Sequence, residues 1–93
     1  MEIGLDEING YQIIDLRSKT SYQKGHIPGS KNVPFAFLII EPSIYLDKKK
    51  KYVLVCEYGI KSQKTSTILN NMGYHTYSLA GGIKKWLNNH EKL

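Results

Sequence analysis

The chain has little of what fixes a small protein covalently. Among 93 residues there is one cysteine, Cys56, and one arginine, Arg17. A single cysteine excludes an internal disulfide, and it excludes a zinc site built from cysteine pairs. His26, His75 and His90 are widely scattered and do not suggest a metal centre. No apolar run approaches the roughly 20 residues that span a bilayer, and the longest, Phe35 to Ile40, is far too short. Met1 to Glu7 is acidic and lacks the basic and then apolar pattern of a secretory signal. These absences predict a cytoplasmic protein with no membrane partner, no metal and no cofactor.

What is present is an ordinary globular composition with a net charge of +5, nearly all of it carried by lysine. The densest run, Lys48 to Lys51, reads as a solvated turn that guards the apolar strand after it against aggregation. No nucleic-acid motif accompanies the charge, so no nucleic-acid partner is expected. Small anions or acidic proteins suit it better. The length predicts one domain over residues 1–93, with a core from about 8 to 90.

Strand and helix patterns alternate along the chain. Gly10 to Leu16 reads as a buried strand, and Ser18 to Lys24 as a short helix capped by Ser18 and stopped by Gly25. A turn at Ile27 to Ser30 leads to a very short strand at Asn32-Val33. Phe35 to Leu46 should form two helical pieces, because Pro42 breaks it. Tyr52 to Val55 is the clearest buried strand. A loop from Cys56 to Lys61 follows, then a helix from Ser62 to Met72 with Thr65, Ile68, Leu69 and Met72 on one face. His75 to Leu79 reads as the last strand. Ile83 to Asn89 reads as the last helix, buried through Ile83, Trp86 and Leu87. This alternation predicts an α/β fold with a mostly parallel sheet of about five strands and helices on both faces.

Functional sites in such sheets lie beyond the carboxyl ends of the strands. Cys56 stands there, between the strongest strand and a helix. A free thiol near neutral pH is only a few per cent ionised, and the thiolate is the nucleophile. Making a thiol mostly ionised takes about 2.7 kcal/mol, whereas a helix N-terminus typically supplies about 0.3–1. Loop amides must supply the rest. Gly59 permits the positive φ that turns successive N–H groups toward one point, and Lys61 adds a positive charge.

The segment Cys56-Glu57-Tyr58-Gly59-Ile60-Lys61-Ser62 resembles the active-site loop of the rhodanese family of sulfurtransferases. Ile14-Asp15-Leu16-Arg17, Tyr22, Gly25 to Ser30 and Asn32-Val33-Pro34 resemble its N-terminal signature. Leu79 to Trp86 resembles its C-terminal one. The resemblance implies a single rhodanese domain with a three-layer fold. It implies that Cys56 takes sulfane sulfur from a donor such as thiosulfate or a persulfide, and passes it to cyanide, a thiol or a carrier protein. Glu57, Tyr58, Gly59, Ile60, Lys61 and Ser62 would cradle the sulfur, with Asp15, Arg17 and His26 as structural support. Lys61 stands where many members carry arginine. It lacks the bidentate fork and should orient a sulfonate less firmly. Phosphatases and arsenate reductases on the same fold carry an arginine six positions after the cysteine, where this chain has Ser62. The remaining alternative is a non-catalytic module that binds partners.

Overall fold

A computed structural model describes residues 1–91 of the chain and the side chains of residues 1–88. Five strands, β1 (Glu2–Ile3), β2 (Gln12–Asp15), β3 (Lys31–Asn32), β4 (Lys51–Val55) and β5 (His75–Leu79), form one sheet. Their order is β1-β5-β4-β2-β3 and every pairing is parallel. Four α-helices accompany them: α1 (Lys19–Lys24), α2 (Phe35–Ile40), α3 (Ile60–Asn71) and, after the last strand, α4 (Gly82–Glu91). Short 3-10 turns occupy Leu5–Glu7 and Pro42–Ile44. None of the described helices is long and apolar enough to cross a membrane.

Side-chain alternation along β4 builds two cores. Tyr52 and Leu54 point to one face and join Leu38 of α2 and Leu69 of α3. Val53 and Val55 point to the other and join Ile27 and Ile83 of α4. Helices therefore cover both faces. The chain leaves β2 toward β3 on one side and returns as β4 on the other, so the ends of β2 and β4 flank a reversal of strand order. Such reversals are where open α/β sheets hold their ligands.

Ser18 caps α1 as its residue type predicts, accepting from the Ser21 amide at 3.2 Å, and Pro42 separates α2 from the 3-10 turn. Some boundaries differ. β2 is shorter than Gly10 to Leu16. α3 starts at Ile60 rather than Ser62, because the turn at Gly59 already sets helical geometry. β1 has no counterpart among the predicted strands. It is only two residues long, too short to carry a period, yet it pairs with β5 and buries Ile3.

The buried face of α3 also differs from the apolar periodicity. Ile68 and Met72 are 45% and 46% exposed, whereas Ser62, Thr65, Ser66 and Leu69 are buried. The reason lies in β5, which presents Thr76 and Ser78 to the helix. The Thr76 hydroxyl donates to Ser66 Oγ at 2.8 Å, and Ser66 Oγ donates to the Thr76 carbonyl at 2.9 Å. β1 pairs only with Ser78 and Leu79, so the backbone of Thr76 needs another partner on that side. The Asn70 amide provides it, accepting from Thr76 N–H at 2.8 Å and donating to its carbonyl at 3.0 Å. Trp86 and Leu87 are half-buried against the second core, while Ile83 is fully buried.

Thr76→Val should therefore cost about 1–3 kcal/mol in denaturant unfolding, because it strands buried partners. Met72→Ala should stay within about 0.5 kcal/mol, as an exposed site does. The reverse ranking would restore the apolar reading of α3.

Candidate active site

β4 ends at Val55, and the next residue, Cys56, is buried where the chain turns toward α3. Gly59 caps α3 with φ of 98°, which closes the turn in three residues. This bend aims two backbone donors at one atom. The amides of Gly59 and Ser62 each donate to Cys56 Sγ at 3.2 Å. The Cys56 thiol donates to Ser62 Oγ at 3.3 Å. Sulfur thus sits at the N-terminus of a 12-residue helix, in a nest that favours negative charge.

α4 fixes the rest of the loop. Its first amides, from Ile83 and Lys84, donate to the carbonyls of Cys56 at 2.8 Å and Glu57 at 3.1 Å. In a trans peptide plane the N–H opposes the C=O. Holding those two carbonyls toward α4 therefore turns the Glu57 and Tyr58 amides the other way. Gly82 makes this approach feasible: a Cβ there would lie 2.5 Å from the Cys56 carbonyl oxygen. The Gly-Gly pair that reads as a mere turn is what lets α4 reach the loop.

The pocket over Cys56 holds about 560 Å³. Leu16, Arg17 and Ser18 line it from the end of β2, Phe35 from the start of α2, and Ile60, Lys61, Lys64 and Ile68 from α3. Glu57 and Tyr58 complete the rim. Lys61 places its ammonium 5.0 Å from the centre of the Phe35 ring. Glu57 meets Lys84 at 3.5 Å in an exposed pair that adds little stability.

Asp15 and Arg17 form a buried, forked ion pair: Nε donates to Oδ1 at 3.0 Å and Nη2 to Oδ2 at 2.8 Å. Nη2 also donates to the Gly25 carbonyl at 2.8 Å. The hydrogen bond to Asp15 raises the guanidinium above its already high ordinary pKa, so Arg17 stays charged at every working pH. Its fork is occupied, and it braces the pocket wall. His26 lies outside the pocket. It stacks on Tyr22 at 3.7 Å between ring centres, with Nδ1 2.7 Å from the Tyr22 carbonyl. Tyr22 in turn donates its hydroxyl to the Ser30 carbonyl. His26 therefore braces the turn. His90 lies outside the described side chains.

Sequence reasoning missed Ser78. Its hydroxyl, fully buried on β5, is 2.5 Å from Ser62 Oγ and donates to the Gly59 carbonyl at 3.3 Å. Ser62 also donates to that carbonyl, at 3.2 Å. When Cys56 is a thiolate, the Ser62 hydroxyl can turn to sulfur while Ser78 keeps the carbonyl paired. The only signal in the sequence was the alternation of Thr76 and Ser78 along β5, which puts both hydroxyl groups on one face.

The chain matches the family model described as Rhodanese-like domain over residues 4–89. It is 35% identical over 78 residues to the thiosulfate sulfurtransferase GlpE of Pseudoalteromonas translucida, covering 80% of this chain and 70% of that protein. It is 40% identical over 81 residues to a tRNA sulfurtransferase of Thermoplasma acidophilum, covering 85% of this chain but only 16% of that much longer protein. Among solved structures, a rhodanese-related protein from Thermoplasma volcanium superposes with a TM-score of 0.86 at 27% identity, covering 95% of this chain and 91% of that one. The human single-domain sulfurtransferase TSTD1 shares the fold, with a TM-score of 0.81 at 21% identity, covering 94% of this chain and 95% of that one. The chain belongs to the rhodanese-like sulfurtransferase family.

Ser78→Ala should slow iodoacetamide alkylation of Cys56 at pH 7 by about two- to fivefold, the scale of one hydrogen bond in a buried network. Thermal unfolding of the same variant checks that the fold survives. An unchanged alkylation rate would mean that Ser62 works without its neighbour.

Proposed function

We propose that this chain transfers sulfane sulfur through a persulfide on Cys56. The observation that carries the reading is the Cys56 sulfur receiving the Gly59 and Ser62 amides at the base of an open pocket. The Cys56 thiolate attacks the outer sulfur of the donor. With thiosulfate, the sulfur–sulfur bond breaks and sulfite leaves with its electron pair. The persulfide then offers its outer sulfur to an acceptor thiolate or to cyanide, and Cys56 leaves as a thiolate. No electron carrier or metal is needed for either step.

The loop residues divide this work. Amides of Glu57, Tyr58, Gly59 and Ser62 hold the negative sulfur, and Gly59 supplies the bend. Ile60 and Tyr58 shape access, and Lys61 attracts the anionic donor. Asp15, Arg17 and His26 keep the neighbouring turns in place. The name of the GlpE relatives supports thiosulfate as one donor. A single free cysteine suits a reducing, cytoplasmic setting. The chain would work as one domain, with a thiol or a protein as acceptor.

Intact-mass measurement after incubation with thiosulfate or polysulfide tests the reading. The expected result is a gain of one sulfur that is absent in Cys56→Ser. No adduct with any sulfane donor would leave a partner-binding module as the better account.

A further inference from the structure

The pocket over Cys56 is much larger than the ion in the proposed reaction. Thiosulfate has five heavy atoms, on the order of a tenth of the 560 Å³ available. The walls are also unsuited to a small dianion. Three exposed apolar side chains, Tyr58, Ile60 and Ile68, line it at 63%, 66% and 45% exposure. Leu16 adds buried and Phe35 half-buried apolar surface. The positive groups are sparse. Arg17 spends its fork on Asp15 and the Gly25 carbonyl. Lys61 hovers over the Phe35 ring, and Lys64 lies one turn further along α3.

A cleft of this size, apolar with two cations on one side, has the character of a small-molecule site. Its nucleophile is buried, only 5% exposed. A slender organic molecule can reach down to it through the pocket. We infer that the preferred donor is organic: a sulfane-sulfur compound with an apolar body and one anionic sulfur headgroup, rather than inorganic thiosulfate. The body rests against Phe35 and Ile68, and the headgroup meets the loop amides with Lys61 beside it. This rests on the proposed persulfide chemistry. The step balances in the same way. The Cys56 thiolate attacks the terminal sulfur of R–SO2–S⁻, the sulfur–sulfur bond breaks, and the sulfinate R–SO2⁻ leaves with the electron pair.

Benzenethiosulfonate and methanethiosulfonate share the headgroup and differ only in the body. Their kcat/KM values, with cyanide as acceptor, are each divided by the rate with free cysteine to remove intrinsic reactivity. The corrected ratio should favour benzenethiosulfonate by about tenfold or more, the scale expected for burying one ring. Ile68→Ser should narrow that ratio, and benzenethiosulfonate should also exceed thiosulfate. A corrected ratio near one, or a preference for thiosulfate, overturns the organic-donor inference while leaving the persulfide intact. Failure of every donor to sulfurate Cys56 overturns both.

Discussion

Two hydrogen bonds from the start of α4 organise this molecule's chemistry. The amides of Ile83 and Lys84 hold the carbonyls of Cys56 and Glu57, at 2.8 and 3.1 Å. Without them the loop carbonyls would be free to face the pocket and repel a negative sulfur. With them, the amides face the pocket instead. The contact needs a backbone with no side chain at Gly82, since a Cβ there would collide with the Cys56 carbonyl. A motif at the far end of the sequence therefore sets the polarity of a loop near its middle.

The other side of the loop is held by hydroxyl groups rather than by apolar packing. Ser62, Ser66, Thr76 and Ser78 are fully buried or nearly so between α3 and β5, and each is hydrogen-bonded. Among the described residues no buried side-chain polar atom lacks a partner. Such a network is rigid when complete and costly when broken. It positions α3 so that its first free amides converge on one sulfur. The packing of α3 on β5 and the surroundings of the Cys56 sulfur therefore share contacts, with Ser62 belonging to both.

Much of this was legible in the chain. The β4 strand, the Cys56 loop and the bend at Gly59 follow from residue types whose geometry is local. The capping of α1 by Ser18 and the break at Pro42 are local too. The failures share one physical cause. Ile68 and Met72 have helical spacing, yet they face out, because β5 offers hydroxyl groups where an apolar face was expected. β1 gains its place only by pairing with β5, more than seventy residues away in the chain. Gly82 and Ser78 matter through contacts with the loop that no local pattern encodes. Periodicity reports what a segment prefers, and it is silent about the partner that segment meets.

The central claim is that the loop amides, turned inward by α4, hold the transferred sulfur. Backbone amide NMR of the uniformly labelled chain, before and after one sulfur is added to Cys56, tests this directly. The account predicts that the Glu57, Tyr58, Gly59 and Ser62 amides shift most, while those of Ile83 and Lys84 stay hydrogen-bonded and exchange slowly. Undisturbed Glu57 and Tyr58 amides, or rapid exchange at Ile83 and Lys84, would contradict it.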